Sequence, residues 1–220
     1  MKTILEPKPG DVLDATDTMY PSRLELVSGQ QRRDCPTSTH YGVVLDGTVS
    51  LRTEAFDCRC AVGSFFCVAG ALELDADGRV AVIERLGFLG LTAVGSIERS
   101  GRLAYIDGCS DTLLVAPPRL GDPCLNHLHF PKSVRQSLHR HPSIRLGVVT
   151  GGRGIAFGPE GWEQPLARGA VFLLSAHETH AFRTDADVLD VIAYHPDSDW
   201  GPTDESHPML SRTYLTSRPM

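Results

Sequence analysis

The sequence predicts an all-β protein, closed or sandwiched so that its strand edges are protected. Its apolar runs are short, roughly four to eight residues, and rich in Val, Ile, Leu and Phe. Gly, Pro, Asp and Asn punctuate almost every gap between them. Helical spacing is missing: only residues 87–101 could hold a short helix, and Gly87, Gly90, Gly95 and Gly101 weaken even that.

In chain order, the run 41–51 (YGVVLDGTVSL) turns at Asp46-Gly47, and 63–74 opens on Gly63 before Phe65 and Phe66. Residues 80–86, 103–107, 112–116 and 124–130 are shorter runs, each set off by Gly, Pro or Asp. The run 145–150 ends on Gly151-Gly152, and 154–157 ends on Gly158. Residues 170–174 follow Gly169, and 188–194 lead into His195-Pro196. Residues 38–74 and 137–180 share a plan: a His-containing entry, an apolar strand, an Asp-Gly or Gly-Gly turn, then a glycine and a Phe-rich strand. The expectation is two related barrels, an N-terminal domain at 1–102 and a second at 103–196, followed by a polar tail at 197–220. A chain of 220 residues can bury one large core or two of about 100 residues each.

Composition is that of an ordinary globular protein, 41% hydrophobic and 22% charged. A formal charge of −6, with no Lys/Arg cluster longer than a dipeptide, argues against nucleic acid and favours a small-molecule ligand. The start, MKTILEPKPGDVLDATD, reads as neither an export signal nor a membrane span, so a cytoplasmic protein is expected. Cys35, Cys58, Cys60, Cys67, Cys109 and Cys124 are expected as reduced thiols, because a chain with its own core needs no staples. The Cys58 and Cys60 step beside Asp57 lacks a second Cys or His pair to complete a tetrahedron, which leaves it a structural feature.

Chemistry concentrates in QSLHRHPSIRLGVVTGG, residues 136–152. His139 and His141, two apart at the mouth of an apolar strand, would share one face. Two imidazoles on a stiff sheet form half of a site for Zn, Fe, Ni, Cu or Mn. A third ligand would come from GAVFLLSAHETHAF, residues 169–182, whose apolar strand delivers His177 and His180 at its end.

These two segments resemble the paired motifs of the cupin superfamily. His139 and His141 match the HXH pair, Arg145 falls where a glutamate usually stands, and Gly152 matches the closing glycine. Ser133 replaces the opening glycine. In the second motif Gly169 and His180 match, while Ser175, His177 and Thr184 stand for the usual Pro, Gly and Asn. The resemblance covers roughly residues 103–196, and 38–90 in outline. It implies a double-stranded β-helix, or jelly-roll, with a metal on His139, His141 and His180. The N-terminal copy would be degenerate: His40 takes the glutamate position, Asp34 and Pro36 stand where the histidines should be, and Leu74 holds the ligand position.

Arg145 cannot coordinate, so a three-histidine shell with open positions is expected, which is a catalytic arrangement. Arg145 would point into the same cavity if the strand runs unbroken from His139. There it either clamps an anionic substrate group or pairs with an internal Asp or Glu. His177 reads as a proton shuttle at the cavity mouth, a fourth ligand, or an exposed loop residue. Gln136 either orients a metal-bound water or substrate, or lies at a strand edge. Parity does not settle which way His127 and His129 face, because outward-facing histidines would leave Leu125 and Leu128 unable both to be buried without a bulge. His195 and His207 lie in a polar stretch and receive no role.

The resemblance implies a metal-dependent enzyme, foremost a non-haem Fe(II) dioxygenase or related oxidoreductase that uses O2 on a small anionic chelating substrate. A Zn, Ni or Mn enzyme of lyase, isomerase or ligating type stays open, as does a non-catalytic metal or ligand sensor. By analogy with cupins the chain could form a homodimer through sheet edges.

Overall fold

Strands form where alternating residues each find an apolar layer on their own side of the sheet. The computed structural model describes residues 1–210, 213, 214 and 216, so part of the expected tail at 197–220 lies outside the described residues. The first half supplies β1 (Lys2–Ile4), β2 (Val12–Ala15), β3 (Ser22–Arg33), β4 (Thr39–Val44), β5 (Thr48–Arg52), β6 (Asp57–Ala61), β7 (Ser64–Ala69), β8 (Leu72–Arg85) and β9 (Ala93–Ser96). The second supplies β10 (Leu103–Ala104), β11 (Ser110–Val115), β12 (Cys124–Phe130), β13 (Arg145–Phe157), β14 (Glu163–Ala167), β15 (Val171–Leu174), β16 (Ala181–Arg183) and β17 (Leu189–His195).

Two antiparallel sheets result. One runs β2-β3-β8-β4-β7-β9 with β5 and β6 alongside, and the other runs β1-β15-β13-β17-β12-β11-β10 with β14 and β16 on β13. The division follows the sequence order except at β1, which leaves its own half and pairs with β15, Lys2 opposite Leu173.

Each sheet is covered on both faces. Leu24, Leu26, Tyr41, Val43 and Ile83 from the first sheet pack in one cluster with Leu125, Leu146, Val148, Ile192 and Tyr194 from the second. At this seam the Tyr41 and Tyr194 rings lie 5.1 Å apart. The opposite faces enclose separate cores, Val44, Phe66, Val68 and Val82 in one, and Phe130, Phe172, Phe182 and Val191 in the other. Burying each such side chain contributes roughly 1.5–3 kcal/mol, an upper bound against a compact unfolded chain.

The same register recurs in both sheets. Gly42 pairs with Phe66 and Val82, and Gly147 pairs with Phe172 and Ala193. A Cβ at Gly42 would fall 1.9 Å from the Phe66 ring and one at Gly147 would fall 2.1 Å from the Phe172 ring, so each ring lies across a bare backbone. By this register His40 corresponds to Arg145, and Glu84 corresponds to His195.

Several expectations need correction. Residues 87–101 hold no helix; β9 runs through them, with Gly95 under the Phe65 ring. The run 41–51 is two strands, β4 and β5, divided at Asp46-Gly47, and 63–74 divides into β7 and the start of β8. The run 103–107 is strand only at β10 before a single 3-10 turn at Ile106–Gly108. Strands β1, β2, β3, β6, β14 and β16 were not expected. β3 reads SRLELVSGQQRR, and much of its polar half faces water while Leu24 and Leu26 close the seam and Val27 joins the first sheet's own core. His127 and His129 share the seam-side parity of Leu125, whereas Leu128 faces the second sheet's own core. Both leucines are covered without a bulge in β12, because both faces of the sheet are packed.

Candidate metal centre

β13 begins at Arg145, so His139 and His141 precede it in a segment that is tied down by two isolated bridges, Arg135 opposite Arg183 and His139 opposite His180. His139 N–H donates to the His180 carbonyl at 3.0 Å, and His180 N–H donates to the His139 carbonyl at 2.9 Å. This reciprocal pair sets the two rings 4.6 Å apart, with His141 5.1 Å from His139 and 5.2 Å from His180. One nitrogen from each ring lies within 4.8 Å of the others, and among the described residues this is the one group of His, Cys, Asp or Glu with that property.

The tautomers follow from the partners. His139 Nδ1 faces the Ser137 carbonyl at 2.9 Å, and His180 Nδ1 faces the Glu178 carbonyl at 2.8 Å. A carbonyl only accepts, so both Nδ1 atoms carry the proton and both Nε2 lone pairs are free to ligate. Burial pushes His180 down to about 4. Burial first, then the Arg145 charge and the other two histidines, pushes His141 down to about 3. Neutral imidazoles converging on one point fit a divalent cation, and nothing in the set closes the remaining coordination positions.

The motif's departures from the family pattern have a conformational signature. Ser133 and His177, which stand where the family has glycine, both adopt left-handed backbone, φ 58° and φ 60°. Thr184, in the asparagine position, accepts from Val134 N–H at 3.2 Å and donates to the Pro131 carbonyl.

A cavity of about 30 Å³ lies over the three histidines. Leu128, Phe130, Phe172 and Phe182 form its apolar wall, and Tyr105, Gln136, Arg145 and His195 supply its polar groups. Gln136 is buried; its Nε2 donates to Cys109 Sγ at 3.6 Å while its Oε1 has no partner. Arg145 reaches this cavity, but not along an unbroken strand from His139, because Pro142 and Ser143 form a bend. Its Nη1 donates to the Ser143 hydroxyl at 2.5 Å and the Ile144 carbonyl at 2.8 Å, and Asp197 lies 3.6 Å away. Arg145 thus lines the cavity and has an internal carboxylate nearby.

His177 is exposed on the turn before His180, and its backbone N–H donates to the His141 carbonyl at 2.7 Å. Its side chain is not among those that line the cavity. His195 is the residue that sequence reasoning missed. It ends β17 facing the cavity, its ring 6.1 Å from His141, and burial holds it well below the ordinary histidine value. Its parity with Ala193 and Val191 on an apolar strand was the available signal. His127 and His129 instead share Asp190, at 3.1 and 2.7 Å, on the seam side. All six cysteines are free thiols.

The first half has no counterpart of this centre. Leu74, in the ligand position, lies in the apolar core. Around His40, Arg23 pairs with Glu84 at 2.6 Å and Arg33 with Glu25 at 2.8 Å.

No protein-family model matches the chain, and no curated protein matches it. Solved structures do. A Cupin 2 conserved barrel domain protein from Leptotrichia buccalis superposes with TM-score 0.65 at 15% identity, covering 88% of this chain and 95% of that one. The protein Ylba from E. coli gives 0.66 at 13% identity, covering 88% and 84%. A variant of salicylate 1,2-dioxygenase from Pseudoaminobacter salicylatoxidans, in complex with gentisate, gives 0.59 at 9% identity, covering 80% and 68%. At such identities the likeness is one of fold, and the fold is that of the cupins. No helix among the described residues is long and apolar enough to cross a membrane.

Proposed function

We propose that the chain is a metal-dependent cupin enzyme whose ion is held by His139, His141 and His180. The observation that carries this reading is the convergence of three imidazoles, one nitrogen of each within 4.8 Å of the others, in a largely apolar cavity. Ferrous iron is the ion we assign, with zinc, nickel and manganese as the competing occupants of the same ligand set. A ferrous ion there would supply the redox chemistry for adding oxygen from O2 to a bound substrate. The similarity in fold to a dioxygenase solved with gentisate supports that choice over lyase or isomerase chemistry.

The chain's own groups would then bind and orient. Arg145 holds the anionic end of a small substrate, and Gln136 Oε1 accepts a hydrogen bond from its hydroxyl, amino or thiol group. The phenyl wall excludes bulk water. His177, on the exposed turn before His180, is the candidate proton shuttle. The repeated register of the two sheets supports a tandem arrangement, with a first cupin unit in which Leu74 and two ion pairs replace the metal site.

Elemental analysis of protein purified without added metal tests the reading, followed by oxygen uptake with thiols, keto acids and diketones after ferrous reconstitution. Iron with substrate-dependent oxygen uptake is expected. Zinc at full occupancy, with no oxygen uptake after ferrous reconstitution, would overturn the dioxygenase assignment. His180→Ala should lose the ion, whereas Arg145→Leu should keep it and lose substrate binding; metal retained by His180→Ala would remove His180 from the ligand set.

A further inference from the structure

Arg145 stands between two spaces. One is the cavity over the three histidines. The other, about 180 Å³, lies between Leu113, Pro117 and Cys124 on one side and the segment from Asp197 to Trp200 on the other. Arg145 and His195 line both.

The segment after β17 is a strap. Gly121 N–H donates to the Ser198 carbonyl and Leu120 N–H to the Pro202 carbonyl, each at 3.1 Å. Gly201 lies so close that a Cβ there would fall 2.5 Å from Leu120 N. From this strap Asp197 reaches towards the guanidinium without seating on it: Oδ1 stops 3.6 Å from Nη1. The Ser143 hydroxyl bridges the two, accepting from Nη1 and donating to Asp197. Arg145 Nε is buried and has no hydrogen-bond partner.

A guanidinium binds a carboxylate best through two parallel N–H···O bonds. Asp197 makes neither, yet it supplies the negative charge without which a buried cation is costly. We propose that Asp197 is a resident stand-in for the substrate's anion: a short monocarboxylate takes the bidentate place on Arg145, and Asp197 withdraws with its strap. One negative charge then replaces another, so the exchange leaves the charge around Arg145 unchanged. Arg145 offers one bidentate place, and the small cavity excludes a long chain. This rests on Arg145 as the anion holder in the function proposed above, and it does not depend on which metal is bound.

Calorimetric titration of the metal-free 220-residue protein with sodium acetate tests the exchange. An internal carboxylate competes at a high effective concentration, so Asp197→Asn should bind acetate about tenfold more tightly than the native protein. If Asp197 merely positions Arg145, the same variant binds acetate equally or more weakly, which overturns the proposal. Arg145→Gln should bind none; acetate retained there would defeat the anion-holder reading itself, a result distinct from failure of the exchange. In the native protein, saturating acetate should accelerate hydrogen exchange at the Leu120 and Gly121 amides, which donate to the strap. Unchanged or slower exchange at both would also overturn the proposal, and this readout needs no variant that could misfold.

Discussion

A seryl residue held at φ 58° shows how closely this chain follows a glycine pattern while departing from it in composition. Left-handed backbone costs an L-residue with a Cβ about 1–2 kcal/mol. Ser133→Gly should therefore stabilise the protein by about 1 kcal/mol in denaturant titration, with unchanged metal content; a destabilised variant would mean that the Ser133 hydroxyl matters more than its backbone. His40 makes a second residue-scale case. Burial pushes it down to about 4, with Glu84 opposing the shift and Arg33 and Arg23 adding to it. In the unfolded chain histidine titrates near 6.5, so between those values the unfolded state binds a proton that the folded state does not. Stability is then lost as pH falls from about 6.5 towards 4, at no more than about 1.4 kcal/mol per pH unit for this one group. The denaturation midpoint of the metal-free protein should fall across that window, and less steeply in His40→Gln. Equal slopes in both proteins would contradict the assignment. The three metal-binding candidates were legible because residue identity and spacing both carry their signal. His195 and Asp197 were not, since they begin a stretch dominated by Pro, Asp and Ser whose composition resembles an ordinary solvated loop.

At the scale of elements, the Gly-under-ring pairs position the sheets' side chains. Alanine at Gly147 would push the Phe172 ring, which forms part of the cavity wall; alanine at Gly42 would push Phe66 in the other core. Overpacking of this kind costs about 1–3 kcal/mol. Both variants should lose stability to that extent, but only Gly147→Ala should also weaken metal binding, as measured by competition with a chelator. Equal loss of metal affinity in the two would mean that the cores are not separate supports. Strands whose neighbours on both sides are apolar announced themselves in the sequence, as β4, β13 and β17 did. β2 and β3 did not, because each keeps polar residues towards water along much of its length. Their apolar minority matters only once the partner sheet is in place, which a local pattern does not reveal.

At the scale of the molecule, the seam joins the halves through residues of both sheets, and β1 crosses from one half to add an edge strand to the other. A shared core of this kind makes unfolding cooperative. Calorimetric melting of the metal-free protein should show a single transition, and Tyr194→Ala at the seam should lower its midpoint without splitting it. Two resolved transitions would show that the halves are independent folding units. Both tryptophans of the chain, Trp162 and Trp200, belong to the second half. Trp162 is packed over Gly158, while Trp200 on the strap is 62% exposed. Tryptophan emission thus comes entirely from the histidine-bearing half, with one indole packed against the second sheet's core and the other lining the same space as Asp197. Movement of the strap should register as a change in the red-shifted, more quencher-accessible part of that emission, while the part from the half-buried Trp162 stays constant, giving an optical report without an added label.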